Sequence, residues 1–457
     1  MTATAPLRPT PGPTRTYHFP PFERLTLPNG LALVVAPVSK LPVVTVLALI
    51  DAGATTDPKG QEGIARLTAH ALAEGTTRSN GTQLADRFER LGTALDSSAD
   101  WDSTDVRITV TADRLAEAMG LLAEVLRMPT FPEREIERLK QERLAELLQQ
   151  RAEPRGLADD MFDRFAYAAD SRYAAPDGGL ESTVAALTPA NVAEFYRARY
   201  TPTGTTLIVV GDVTIDRARR LAEDAFGSWS GPTIALPSLV DRPASTTRTV
   251  HVVGKADAPQ SEIRVGHVGV PRLHPDYFSI IVMNAILGGL FSSRINLNLR
   301  EAHAYTYGAF SSFDWRRGAG PFAVSTAVRS DVTDAAVREI MTEIGRMRST
   351  EVSDAELSLA TSYLDGVFPI RFETTTAIAN ALSSLVSFGL PNDYFDRYRE
   401  NIRGVTADRV LEAARAHVRP DELQIVIVGD PALVRAPLEQ LNLGPVRVYD
   451  AERNAAL

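Results

Sequence analysis

Apolar residues along this chain change their period repeatedly, and each change marks an element. β-Branched and alternating runs near 23–36 and 43–52, broken at Pro28-Asn29-Gly30 and at Pro42, predict strands. Helical spacing then predicts a helix across Gly63–Thr76, another near 82–92, one at 113–127 and a long one starting at Pro132. Strands are expected near 94–111. Antiparallel strands with helices gathered on one face place the chain in the α+β class rather than among doubly wound sheets.

The pattern repeats. Residues 187–212 (LTPANVAEFYRARYTPTGTTLIVVGD) and 405–430 (VTADRVLEAARAHVRPDELQIVIVGD) align without a gap at an offset of 218 positions. Each reads as a capped helix, a proline-containing turn, a β-branched strand, and Gly-Asp opening a further helix. A looser match pairs 106–128 with 322–347, followed by Glu135-Ile136 against Glu356-Leu357. Two homologous α+β halves are therefore expected, at 21–230 and 248–457. Residues 231–247, with Pro232, Pro237 and Pro243, would link them, and residues 1–20, with four prolines between Pro6 and Pro13, would form a flexible lead-in.

At 457 residues the chain suits two domains of roughly 200 residues. A net charge of −9 makes nucleic acid and anionic membrane faces poor partners. The absence of cysteine excludes disulfides, thiolate metal sites and a cysteine nucleophile. The N-terminus has no apolar signal-like run, and no window is expected to reach the ~18 apolar residues of a membrane span. A cytoplasmic location is the expectation. Basic residues are nearly all arginine, with lysine only at Lys40, Lys59, Lys140 and Lys255.

The chemistry concentrates at two places. Zinc hydrolysis needs three protein ligands, an open position for water and a carboxylate base. In the inverted motif H-x-x-E-H, two histidines four apart share a helix face and the acid sits beside the bound water. Here the corresponding residues are Arg66-Leu67-Thr68-Ala69-His70. Arg66 is permanently cationic and repels a dication, and Ala69 cannot accept a proton. His70 with Glu146 supplies at most two ligands, so no metal is expected in this chain. Alone, His70 reads as an ordinary helical histidine and Glu146 as part of a solvated helical face.

These residues, with LPNGLALVV (27–35), DAGATTDPKGQEGIARLTAHALAEGTTR (51–78), the turn Tyr200-Thr201-Pro202 into IVVGD, and SSRINLNLREAHAYTYGAFSSF (292–313), resemble the M16 (inverzincin, pitrilysin-like) peptidases from about Phe22 to Leu443. The similarity is to their bacterial two-subunit branch. It implies a bowl-shaped chain of the M16/LuxS metalloenzyme type. Gly63, Ala65, His70, Gly75 and Thr76 keep the frame of the family's zinc helix, while Arg66 and Ala69 break it. The family's third ligand, a glutamate on the long helix, falls at or beside Glu146.

In such pairs one subunit carries zinc and the other supplies an arginine and a tyrosine. The matching residues are Arg300 and Tyr307. A guanidinium can grip a substrate carboxylate or carbonyl, and a phenol can donate to a developing oxyanion. Strand alternation would put Tyr305 on the same face as Tyr307, so both would line the cavity with Arg300 facing the same cleft, while His303 would end the helix in solvent. Asn284–Ser293 reads as a turn near the substrate or as a helix connection needing Gly288-Gly289. The resemblance thus implies a heterodimer with a homologous zinc-binding subunit and a peptide substrate, with zinc only in the partner. A structural subunit, like those of respiratory complexes, and a peptide-binding accessory are the alternatives.

Overall fold

The computed structural model describes residues 16–450, so most of the expected lead-in, residues 1–15, lies outside the described residues. Its last residues are packed in place. Phe19 is buried, stacked on Phe395 at 4.3 Å between ring centroids and edge-on to Phe372.

Among the described residues, twelve strands form two six-stranded sheets. In the first half they are β1 (Glu23–Thr26), β2 (Ala32–Pro37), β3 (Val43–Ile50), β4 (Asp96–Ala99), β5 (Thr104–Thr111) and β6 (Thr205–Gly211). In the second half they are β7 (Thr249–Gly254), β8 (Gln260–Val268), β9 (Ala309–Phe313), β10 (Pro321–Arg329), β11 (Gln424–Gly429) and β12 (Val446–Asp450). The spatial orders, β1-β2-β6-β3-β5-β4 and β12-β7-β11-β8-β10-β9, superpose in their last five positions. The internal repeat is thus a repeat of architecture. Only the first edge differs, taken by β1 from before the repeat in one half and by β12 from after it in the other.

The repeated helix starts are capped as their sequences suggest. Thr188 Oγ1 accepts from the Asn191 N–H, and Thr406 Oγ1 from the Arg409 N–H, both at 3.3 Å. After the Gly-Asp pairs the copies diverge. Asp430 caps its own helix, Pro431–Gln440, whereas in the first copy Thr214 caps Ile215–Phe226 instead of Asp212.

The expectation of antiparallel sheets needs a refinement. In each sheet one run of four strands, β6-β3-β5-β4 and β11-β8-β10-β9, is antiparallel throughout, but β2 pairs parallel with β6, and β7 pairs parallel with both β11 and β12. A parallel pair needs a long crossover, and here well over a hundred residues of helices and strands lie between β2 and β6. β3 and β11, central in their sheets, are buried on both faces, which explains why VVTVLALI and QIVIVG are almost wholly apolar runs.

Each half covers one face of its sheet with its own helices. The other face is covered by a helix from the opposite half. Thr375–Ser387 packs Ile378, Ala379 and Leu382 into the core that contains Leu47, Leu49, Ile208 and Val210 of the first sheet. Pro154–Ala166 packs Leu157, Ala158, Met161 and Phe162 against Val253, Val268, Val426 and Val428 of the second. The segment 231–247, largely outside helix and strand, is strapped down as well: Leu239 joins the second contact, and Asp241 accepts from the Ala319 N–H at 2.7 Å.

One helical stretch corrects the hydropathy reading. Tyr277–Ala302 spans 26 residues with mean hydropathy 1.5 in its most apolar window, which is long and apolar enough to cross a membrane. Within the protein 61% of that window is buried, with Ile280, Val282, Met283 and Leu287 in the core beneath the second sheet, so it serves as a core element. The expected turn at Asn284–Ser293 begins later than predicted: Ala285–Gly289 continues the helix in a π turn, and the chain breaks at Leu290. Gly288 is needed for close approach, since a Cβ there would lie 2.5 Å from the Ser311 backbone nitrogen in β9.

One buried acid makes stability depend on pH. Asp105 on β5 has a buried oxygen, Oδ1, without a hydrogen-bond partner. Burial, reinforced by Asp100 and Asp96 and opposed by Arg107, pushes its carboxyl up to about 7. The folded state therefore holds a proton that the unfolded chain has released, and stability falls as pH rises from about 4 to about 7. Asp105→Asn should remove this residue's share of the slope and leave that of Asp163, pushed up to about 7, and of Asp57, Asp102 and Asp160, pushed up to about 6. At pH 8 the variant should be more stable than the native chain by about 1–3 kcal/mol, with the difference vanishing near pH 4, as read by denaturant titration at the two pH values.

Candidate functional site

The helix Ile64–Ala71 starts at Gly63, whose φ of 100° suits glycine, and is held from below by a buried carboxylate. Asp57 accepts from the Gly63 N–H at 2.8 Å and the Ala65 N–H at 3.0 Å, and pairs with Arg172 at 2.9 Å. Its side chain is fully buried. At its other end the helix leads into Gly75 and Thr76, where Thr76 Oγ1 donates to buried Glu124 at 2.6 Å and Arg87 grips the same carboxylate through both oxygens at 2.9 Å. The frame of a metal helix is therefore intact.

Its contents are not. Arg66, His70, Glu142, Arg143 and Glu146 line a cavity of only about 30 Å³ between this helix and the long helix Glu133–Ala152. Glu146 does fall opposite His70, where the resemblance puts a third ligand, but one of its oxygens takes Arg66 at 3.4 Å and Arg143 at 3.0 Å. Arg143 is itself tied to the Gly178 carbonyl at 3.1 Å. Burial, with Arg66 and Arg143, holds the His70 imidazole below its ordinary pKa against the pull of Glu146 and Glu142. Two guanidinium groups stand where a dication would stand, and the residues present do not fit zinc.

Arg143 was not among the sequence candidates. Its signal was present, three residues before Glu146 and so on the same helical face. Arg66→His with Ala69→Glu should restore a zinc site at His70, and adding Arg143→Ala should tighten it by about tenfold or more, because one nearby cation remains in the double variant. Zinc titration against a competing chelator reads both steps.

The second site sits where a short helical segment meets β9. Arg294 anchors the segment through Glu356, at 2.6 and 3.0 Å. Fully buried Asn296 donates to the Phe291 carbonyl and accepts from the Ala309 N–H, fixing the start of the strand. Arg300 lies in the π turn Leu297–Ala302, half-buried, its guanidinium 4.4 Å from the Phe291 ring centroid and 2.9 Å from Glu301. Single π turns of this kind recur at functional positions.

His303 ends the turn exposed, as expected. Ala304 then adopts a φ of 52°, and the chain reaches β9 only at Ala309. Residues 305–307 are therefore not in a strand, and the expectation of a shared face for Tyr305 and Tyr307 fails. Tyr305 turns back half-buried, stacked on His303 at 4.9 Å. Tyr307 points outward with 95% of its surface exposed. Its turn is rigid: Thr306 Oγ1 bridges the Gly308 backbone, and Thr326 on β10 donates to both Thr306 Oγ1 and the Gly308 carbonyl.

Tyr307 borders a cavity of about 360 Å³ on the second sheet, with Arg155, Glu262, Arg264 and Phe310. Arg300 is not among the residues that line it. Buried Arg264 spans Asp159 at 2.6 Å and Glu262 at 2.9 Å. Burial opposes its charge, but these carboxylates outweigh burial and keep it firmly protonated. The clue to this group in the sequence is a charged pair inside the otherwise apolar run EIRVGHVGV.

Two models of one family match consecutive stretches of the chain: insulinase (peptidase family M16) at residues 34–173 and the peptidase M16 inactive domain at 186–364. The chain belongs to the M16 peptidase family. Among its relatives, an uncharacterized zinc protease of Streptomyces coelicolor is 23% identical over 401 residues, covering 86% of each chain. A probable mitochondrial-processing peptidase subunit beta of Arabidopsis thaliana is 24% identical over 421 residues, covering 88% of this chain and 77% of its own. In fold, the crystal structure of a peptidase M16 inactive domain from Pseudomonas fluorescens matches with a TM-score of 0.83 at 23% identity, over 90% of this chain and 98% of its own. A protease from Helicobacter pylori matches with 0.84 at 20% identity, over 90% and 99%. The insulinase-type match covers the half whose metal helix keeps its frame and lacks its ligands, and the inactive-domain match falls mostly on the second half.

Proposed function

We propose that this chain is the non-metal subunit of a two-chain M16 metallopeptidase that degrades short or unfolded peptides. The observation that carries the reading is the contrast between its two sites. The metal position is filled by Arg66 and Arg143, while Tyr307 is held on a rigid turn with its phenol almost wholly in solvent. A tyrosine so exposed contributes little to folding and is placed to act on something outside its own chain. Arg300, half-exposed and braced only by Phe291 and an open pair with Glu301, would bind the substrate's carboxylate or carbonyl. Tyr307 would donate a hydrogen bond to the oxyanion formed at the attacked carbonyl. Zinc and its glutamate base would belong to a homologous partner with an intact H-x-x-E-H helix. Like folds pair readily about a pseudo-twofold axis.

The test is reconstitution. The purified chain alone should cleave no peptide. Mixed with an M16 chain that carries the intact motif and is itself weakly active or inert, it should give chelator-sensitive cleavage. Cleavage by this chain alone, or a mixture no more active than its parts, would sink the proposal. If Arg300→Ala and Tyr307→Phe left the turnover of an active pair unchanged, a scaffolding role would replace it.

A further inference from the structure

Outside both sites, His274, Asp276 and His417 bring three ligand atoms within 4.8 Å of one another. We infer that they form a second, independent site for a divalent transition-metal ion such as zinc, which clamps two core helices of the C-terminal half together.

The three side chains come from two elements that pack on each other. His274 and Asp276 flank Pro275 in the turn before the helix Tyr277–Asn284, and the proline ring limits how far that turn can relax. His417 is the last residue of the helix Ala407–His417. Its Nε2 lies 2.7 Å from Asp276 Oδ2, and His274 Nδ1 lies 4.0 Å from the same oxygen. The two imidazole rings meet edge to face at 4.7 Å between centroids.

Two imidazoles and one carboxylate are a donor set that suits zinc, with bonds of about 2.0–2.2 Å and one position left for water. Bonds of that length put the donors a little over 3 Å apart, so small side-chain rotations would close the set around an ion. Asp276 occupies the N-cap position of its helix, yet its carboxylate makes no capping bond to the free N–H groups there. That carboxylate is instead turned toward His417. His417 is nearly buried while His274 and Asp276 are partly exposed, which leaves a route for the ion from solvent. Binding would free the Nε2 lone pair of His417: the Nε2–H now donated to Asp276 would move through solvent to Nδ1 of the same neutral ring, and the metal would take its place.

The inference does not rest on the proposed peptidase role. Metal-stripped full-length chain, titrated with zinc chloride against a chromophoric chelator, should bind one ion per chain. His274→Ala and His417→Gln should each weaken binding by about tenfold or more, and His70→Ala should leave it unchanged. Zinc should raise the melting temperature of the native chain but not of His274→Ala. His274 is partly exposed, touches His417 edge to face, and accepts a 3.2 Å hydrogen bond from the Asp276 N–H within its own turn, so this variant should fold even if His417→Gln does not. Failure of the native chain to bind one equivalent would overturn the inference. So would binding that survives His274→Ala, or binding that is lost in His70→Ala.

Discussion

Tyr307→Phe should lower kcat of the assembled peptidase pair by about 10²–10³-fold while leaving KM and pairing nearly unchanged. The change removes one oxygen from a side chain that is 95% exposed in the isolated chain. Nothing in the fold depends on that hydroxyl, because the turn is held by Thr306, Gly308 and Thr326. Its only cost should therefore appear when negative charge develops on the attacked carbonyl. An oxyanion donor lost at that moment raises the barrier by roughly 3–4 kcal/mol. Tyr305→Phe is the control: that ring is half-buried against His303, so its hydroxyl should matter little. Steady-state kinetics of reconstituted pairs, with pairing checked by size-exclusion chromatography, would decide. An effect of equal size in KM alone would mean that the phenol binds substrate and transition state alike.

The largest loss of stability should follow Asp57→Ala, about 3–5 kcal/mol by urea unfolding. Burial pushes this carboxyl up to about 6, against the pull of Arg172 and of the N–H groups of Gly63 and Ala65. At pH 7 it is still charged, and it serves three partners at once. Removing it strands two N–H groups at the start of the helix Ile64–Ala71 and leaves the Arg172 guanidinium beneath Trp101 without its counter-charge. The carbonyls of Ala175, Pro176 and Asp177 still accept from Arg172, which sets an upper limit to the damage. Asp57→Asn keeps one acceptor for the helix start and should cost less. A loss below about 1 kcal/mol for the alanine variant would show that the helix is held by its apolar face alone.

Much of this was legible in the sequence. The gapless repeat anticipated two halves of like architecture, because helix caps, turn prolines and β-branched strands carry local signals; the strand orders came only with the structure. The degenerate motif was legible for the same reason, since residues four apart on a helix have a known geometry. Three features were not. Which strands pair in parallel depends on contacts across more than a hundred residues, for which VVAP and IVVG carry no mark. The orientations of Tyr305 and Tyr307 turned on a single positive φ at Ala304, a residue type that gives no warning of it. The acid-flanked Arg264 beside Tyr307 is assembled from β8 and a helix of the other half, so its closure exists only in three dimensions.

The exchange of covering helices makes each half the other's missing layer. A piece comprising residues 248–450 alone would leave Val253, Val268, Val426 and Val428 wet, and a piece ending near 230 would do the same to Leu47, Leu49, Ile208 and Val210. Proteolytic nicking between 231 and 247 should therefore yield fragments that stay associated and melt in one transition, and neither fragment should refold by itself. The halves look like duplicated modules on paper, but the molecule behaves as an interlocked pair that must be made, and lost, together.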